Sequence, residues 1–235
     1  MTSKIESIKD KDQVGQLLSV NASLSSDAQS KILDIVAQSG AILKAHFAFL
    51  DCHSTHMLRF NHIGRMHSEC DYLASLLVEQ AGIDPDAETP LKVLAAESAG
   101  MFLGSSVAEL CVVNKKNRFK KLVLARCGLV DRRPQVDAGF TLGKINPGNR
   151  VVVVSDISRT GASVENMVKI VRRHKATVEV VLLFATCNDA EHEQRMVDLG
   201  VNSYRLAELK LETSQKDKCP GCYSGANIEP VSMLI

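Results

Sequence analysis

This sequence predicts an α/β fold, a mainly parallel sheet flanked by helices, on three observations. Short apolar runs alternate with amphipathic helical segments between residues 91 and 206. Four consecutive valines, Val151 to Val154, read as a strand buried on both faces, where no polar alternation survives. That strand runs directly into small polar residues, a glycine and a helical pattern.

Taken in order, Leu24 to Lys44 reads as a helix with its cap. Ser25 or Ser26 supplies the cap, and Ile32, Leu33, Ile35, Val36 and Ile42 mark an apolar face. A polar, His-rich stretch follows from Asp51 to His67. Ser68 to Gln80 returns to helical periodicity, and Gly82 to Pro90 reads as a loop. Leu91 to Ala95 is a short apolar run, Gly100 to Val112 a helix, and Phe119 to Ala125 a strand behind a basic loop. After the valine strand come a helix over Ser163 to His174, a strand over Val178 to Ala185 and a helix over Ala190 to Leu199. Val201 to Leu206 closes the sheet. The organisation expected is an N-terminal extension (1–23), one domain (24–211) and an irregular tail (212–235).

Composition narrows the function classes. The 235 residues are 45% hydrophobic, enough for a sizeable core. Lys plus Arg number 28 and Asp plus Glu 27, so no global charge calls for nucleic acid or an acidic membrane, and any anion site is local. Aromatics are 4% with no Trp, which argues against a base-stacking surface. Residues 1–16 lack the apolar core of a signal peptide, and no apolar run is long enough to span a bilayer. Seven scattered Cys fit a reducing compartment better than a disulfide framework, so the expectation is a soluble cytoplasmic protein.

The segment Arg150-Val-Val-Val-Val-Ser-Asp-Ile-Ser-Arg-Thr-Gly-Ala-Ser163 carries the most chemistry. Asp156 sits at the carboxyl end of a strand, where open α/β sheets bind ligands. Gly161 allows close backbone approach, Thr160 and Ser163 add hydroxyls, and the N–H groups opening the next helix favour an anion. The combination describes a phosphate cradle beside a carboxylate able to hold sugar hydroxyls; the bland alternative is an ordinary strand-to-helix turn. Neither a Walker loop nor a Gly-x-Gly-x-x-Gly dinucleotide loop is present.

This segment resembles the phosphoribosyl pyrophosphate signature of type I phosphoribosyltransferases: four apolar residues, two acids, two spacers and Thr-Thr-Gly-x-Ser/Thr. Three other segments and the tail also resemble that family. Val93-Leu-Ala-Ala-Glu-Ser-Ala-Gly-Met-Phe-Leu-Gly104 is similar to its pyrophosphate loop, with Ser98, Ala99 and Gly100 at the turn. His46-Phe-Ala-Phe-Leu-Asp-Cys-His-Ser54 is similar to the orotate-type stretch near the base site, which puts Phe47, His53 and Ser54 there. Gly139-Phe-Thr-Leu-Gly-Lys-Ile-Asn-Pro-Gly148 resembles the lead-in to the signature strand. The ending Cys219-Pro-Gly-Cys-Tyr-Ser-Gly-Ala-Asn-Ile-Glu-Pro230 resembles that of one orotate-type branch.

The resemblance implies a Rossmann-like core with a small hood region at about residues 44–67, a Mg²⁺-assisted transfer of phosphoribosyl to a nucleobase, and a homodimer. It places Ser155, Asp156, Ser158, Arg159, Thr160, Gly161, Ala162 and Ser163 around the 5′-phosphate and ribose. Arg126, Arg132 and Arg133 are the substitutes for a basic flap, with Asp131-Arg132-Arg133-Pro134 part of it. Several positions depart from the family pattern. Ser155 replaces the first acid, Arg159 the first Thr, Leu50-Asp51 the usual Ser-Gly, and Asp137-Ala138 the basic residue before Gly139. Two readings follow: an orotate phosphoribosyltransferase-like enzyme, or a catalytically degenerate module that binds a nucleotide or a phosphoribosyl pyrophosphate-like ligand as a sensor or subunit.

Cys219 and Cys222 form a single Cys-x-x-Cys. A closed structural zinc site takes four ligands, and only Cys187 and His192 suggest themselves as partners. Reduced thiols in a tail turn are the simpler expectation. His46, His53, His56, His62 and His67 fit no ligand spacing and read as loop histidines, His53 being the one placed to face a ligand.

Overall fold

The computed structural model describes residues 4–48, 52–83, 91–96, 99–112, 122–130, 133–142, 144–187, 189–219, 222 and 231–232. In chain order these form β1 (Glu6–Ile8), α1 (Lys11–Leu17), β2 (Leu18–Val20), α2 (Ser26–Ser39), β3 (Ile42–Ala48), β4 (His53–Leu58), α3 (Phe60–Gly64) and α4 (His67–Ala81). Then come β5 (Leu91–Ala96), α5 (Ala99–Val112), β6 (Leu122–Val130), β7 (Arg133–Leu142), β8 (Arg150–Ser158), α6 (Ala162–Arg173), β9 (Thr177–Thr186), α7 (Asp189–Leu199) and β10 (Ser203–Leu209). Two short strands end the series, β11 (Thr213–Ser214) and β12 (Val231–Ser232).

Seven strands make the main sheet, in the order β2-β10-β9-β8-β5-β6-β7. The inner pairs β10–β9, β9–β8, β8–β5 and β5–β6 are parallel, and an antiparallel strand closes each edge. The valine strand is its centre: Val151 to Val154 are all 0% exposed. Their side chains divide by parity. Val152 and Val154 join Val93, Ala95, Leu182 and Phe184 beneath α2, α4 and α5. Val151 and Val153 join Leu94, Val181 and Leu183 beneath α6, which supplies Val164, Met167, Val168 and Val171. A helix layer on each face is why the central strands carry unbroken apolar runs.

A second sheet pairs β1 with β3, β3 with β4 and β4 with β11, all antiparallel, while β12 adds in parallel to β3. It continues into the main core through Ile8, Ile42 and Leu58, and Phe60 of α3 packs on Phe184 with ring centroids 5.2 Å apart. Residues 1–23 and the tail thus each supply strands: β1 and β2 from the first, β11 and β12 from the second.

Several expectations need correction. The helix from Leu24 ends at Ser39, because Gly40 takes a left-handed C-cap conformation and Ile42 opens β3; Ser25 does cap it, accepting from the Ala28 N–H at 3.2 Å. The His-rich stretch is a strand and a short helix, β4 and α3, not a loop. The strand was hidden because His53 and Ser54, buried in succession, are polar. Strand β7 went unread since it contains Pro134, Asp137 and Gly139; as an edge strand it tolerates them. Residues 84–90 of the expected loop lie outside the described residues.

Phe184 is fully buried where the two sheets share a core. Phe184→Ala should destabilise the fold by about 3–5 kcal/mol, read as a lower urea midpoint with an unchanged slope.

Candidate active site

Past its valines, β8 continues into Ser155, Asp156, Ile157 and Ser158. Asp156 is half-buried. Its carboxyl pKa is pushed up by burial and partly held back by the backbone N–H groups of Ile157 and of Asp156 itself and by the Ser155 hydroxyl. Ser155 is buried and donates to Asp156 Oδ1 at 3.4 Å. Ser158 is buried too, its Oγ 3.0 Å from His192 Nδ1. The other nitrogen of that fully buried ring lies 3.3 Å from Ser203 Oγ. This chain of polar groups fixes the end of β8 to α7 and β10.

The loop then turns through exposed Arg159, half-buried Thr160 and Gly161 into α6. Gly161 is the N-cap with φ of 79°, and its carbonyl accepts from the Glu165 N–H at 2.8 Å. Arg195 of α7 shapes the turn: its Nε donates to the Thr160 carbonyl at 2.7 Å and its guanidinium pairs with Glu165 at 2.5 Å. Lys169 and Arg195 together hold the Glu165 carboxyl below the usual range. Because a trans peptide points its C=O and N–H in opposite directions, tying the Thr160 carbonyl to α7 aims the Gly161 N–H away from α7. The N–H groups of Gly161, Ala162 and Ser163 therefore open a helix N-terminus, an anion-favouring end, beside the Asp156 carboxylate.

A second helix N-terminus lies against the same strand end, on the other face of the sheet. Gly100 in the first turn of α5 is buried against β8, and a Cβ there would lie 3.4 Å from Ser155 Cα and 3.6 Å from Asp156 N. With β5 and β8 parallel neighbours, α5 and α6 both start at the same sheet edge, flanking Asp156. Ala99 and Gly100 are thus brought to the loop; Ser98 lies outside the described residues. Arg126 falls within β6 and Arg133 opens β7, whose pairing Val130↔Arg133 makes a hairpin of the expected flap; Arg132 lies outside the described residues.

The hairpin β3–β4 stands over the loop, where Arg159 donates to Cys52 Sγ at 3.5 Å. Phe47 is 0% exposed, packed with Leu43 and Met57. His53 does not stand alone: its Nδ1 is 3.0 Å from His46 Nε2, and both rings contact the Cys pair of the tail. The partners of Cys219 and Cys222 are therefore these two strand histidines and not Cys187 and His192, since His192 is engaged with Ser158 and Ser203. Reading the sequence missed Arg195, Glu165 and Cys52 altogether. A charged residue on α7 carries the same pattern as any solvent-facing one, and only the tertiary fold brings Arg195 to Thr160.

No family model matches the chain. An orotate phosphoribosyltransferase of Caldicellulosiruptor bescii is 35% identical over 85 residues, 36% of this chain and 42% of that protein. The chain thus aligns with less than half the length of that relative. An orotate phosphoribosyltransferase of Pelotomaculum thermopropionicum is 28% identical over 207 residues, spanning 84% of this chain and 93% of its own. The solved orotate phosphoribosyltransferase of Aeropyrum pernix superposes with a TM-score of 0.57 at 20% identity, over 75% of this chain and 92% of its own. In sequence and in fold the chain is thus similar to type I phosphoribosyltransferases. An adenine phosphoribosyltransferase of Histophilus somni, 27% identical over 50% of the chain and 68% of its own length, places purine as well as pyrimidine enzymes among its relatives. Among the described residues, no helix is long and apolar enough to cross a membrane.

Burial of Asp156 has a thermodynamic sign. A carboxyl whose pKa is raised by folding contributes stability below its unfolded pKa and loses that contribution as pH rises through the folded value. At neutral pH folding therefore bears a cost at this group that it does not bear in acid. Asp156→Asn, which keeps the acceptor oxygen, should melt at a higher temperature than wild type at neutral pH. The difference should shrink in acid, between the raised pKa and the ordinary carboxylate range, as scanning calorimetry across pH can read.

Proposed function

We propose that this protein is an orotate phosphoribosyltransferase-like enzyme that transfers phosphoribosyl from phosphoribosyl pyrophosphate to a nucleobase and releases pyrophosphate. The single observation behind this reading is the juxtaposition of Asp156 with two helix N-termini, the αL turn at Gly161 and the start of α5. In this reading the N–H groups of Gly161, Ala162 and Ser163, with the Thr160 and Ser163 hydroxyls, hold the 5′-phosphate. Asp156 orients the ribose hydroxyls, with Ser155 and Ser158 steadying the strand end. Ser98, Ala99 and Gly100 line the pyrophosphate, and Arg126, Arg132 and Arg133 cover it against water. The bond from the anomeric carbon to pyrophosphate oxygen breaks through an oxocarbenium-like transition state, and a base nitrogen forms the new bond. Phe47 and His53, buried in the hairpin, shape the base end from beneath, with Cys52 and Ser54 beside them. A homodimer is part of this reading.

Mg²⁺ would neutralise the departing pyrophosphate. The site fits it: Asp156 is a carboxylate that burial disfavours, and a cation beside it would reverse that cost, while a Mg²⁺ ion needs only one or two protein carboxylates besides substrate phosphates. The second reading, a ligand-binding module without catalysis, draws on Ser155 standing where the family pattern has an acid.

Calorimetric titration with phosphoribosyl pyrophosphate and Mg²⁺ should show binding. Gly161→Val should abolish it, because φ of 79° strains a β-branched residue and its Cβ would lie 2.9 Å from Arg195 Cδ. Unchanged affinity in a folded variant would remove the phosphate assignment.

Pyrophosphate release should be slow in wild type. It should rise with Ser155→Asp in the presence of Mg²⁺ and fall roughly tenfold to a hundredfold with Asp156→Asn, the worth of a charge-assisted hydrogen bond. Absence of release from all three with orotate, uracil and purine bases, while binding persists, would select the binding module.

A further inference from the structure

We propose that His46, His53, Cys219 and Cys222 form a structural zinc site that staples the tail to the β3–β4 hairpin. The four residues come from three separate segments: His46 from β3, His53 from β4, and the Cys pair from the stretch between β11 and β12. Neither the phosphate loop nor Asp156 takes part, and His53 is the one residue shared with the proposed base end.

The geometry is that of a closed tetrahedral shell. His46 Nε2 lies 3.0 Å from His53 Nδ1, 3.3 Å from Cys219 Sγ and 3.8 Å from Cys222 Sγ; Cys222 Sγ lies 3.3 Å from His53 Nδ1. All four atoms fall within 4.8 Å of one another. With zinc–nitrogen bonds of about 2.05 Å and zinc–sulfur bonds of about 2.3 Å, tetrahedral edges come to about 3.3 Å between nitrogens, 3.6 Å between nitrogen and sulfur and 3.8 Å between sulfurs. The observed separations scatter about these edges.

Hydrogen bonding explains the cluster less well. A ring nitrogen carries one proton or one lone pair, so it serves one partner well. Here three polar atoms converge on His46 Nε2 in a place where His46, His53 and Cys219 are all buried. One cation replacing the thiol protons satisfies all four groups together. Two thiolates and two imidazoles select zinc over Mg²⁺ or Ca²⁺, which take oxygen ligands. The backbone is arranged for this. The irregularity in the β3–β4 register between Lys44 and Phe47 breaks the alternation, so that His46 and Phe47 are both buried in succession. Strand β11 pairs along β4 at Ser54 and His53, and β12 pairs along β3 at Phe47 and Ala48. The tail thus pairs with both strands of the hairpin, and its Cys pair contacts the two histidines.

The site also sits one residue from the loop contact: Cys52, which accepts from Arg159, directly precedes His53. Its role would be to set the hairpin over the candidate active site, without touching substrate.

The test is metal analysis of the full-length chain, purified under reducing conditions without chelator, exposed to Zn²⁺ and desalted. About one zinc per chain is expected in wild type and in Cys187→Ser, and close to none in Cys219→Ser or Cys222→Ser. Should those variants fail to fold, Co²⁺ exchanged into wild type decides: intense tetrahedral visible bands with a thiolate charge-transfer band are expected. A folded wild type that retains no zinc with its thiols reduced, or that shows a Cys219–Cys222 disulfide, would overturn the proposal. Zinc retained undiminished in both Cys variants would do so equally.

Discussion

Burial of β8 on both faces is the constraint on which the remaining architecture rests. With Val151 and Val153 in one apolar layer and Val152 and Val154 in the other, the strand has no face left for water. Full burial of each valine contributes on the order of 1.5–3 kcal/mol, gained only if helices cover both sides. That requirement places α5 and α4 on one face and α6 on the other. Both α5 and α6 follow directly from adjacent parallel strands, so they begin at the same edge. The anion-favouring ends of two helices and the carboxylate of Asp156 are thus consequences of packing valines, before any ligand is considered.

The chemistry at that edge is tuned by groups one step back. Arg195 holds the Thr160 carbonyl and Glu165, so a residue of α7 determines which way the turn presents its N–H groups. The His192 ring, fully buried between Ser158 and Ser203, ties the same strand end to β10. Ser155 stands where the family pattern has an acid, and burial raises the pKa of the neighbouring Asp156 carboxyl. That substitution is the physical content of the choice between the two proposed readings, enzyme and binding module.

How much of this could be read in the sequence depended on whether the signal was local. The valine run, the turn at Gly161 and the Ser25 cap are local, and each was legible. The helix boundary at Gly40 was missed because the apolar pattern ran on into β3 through Ile42, erasing the change of period. The β3–β4 hairpin was missed because its buried positions include the polar His46, His53 and Ser54 and come in consecutive pairs, so neither burial nor hydrophobicity alternates. The two histidines contact one another and the Cys pair, a relation between segments far apart in sequence, while Ser54 Oγ accepts from the His56 N–H. Arg195 and the two histidine partners belong to the same class: nothing near them in the chain signals what they touch.

Strand β3 has a role in the order of assembly. One of its sides is occupied by β1 near its start and by β12 near its end. Residues from opposite ends of the chain therefore share a single strand as their template. Closing so long a loop carries an entropic penalty that local pairing does not offset, and contacts of this separation form late. During synthesis the parallel sheet can gather as its strands emerge from the ribosome, but the hairpin sheet cannot be completed until residues 231–232 are free. A nascent chain would thus pass through a stage with its central sheet formed and the far edge of β3 still open for pairing, which is the stage at which association with another chain's strand competes most directly with correct closure.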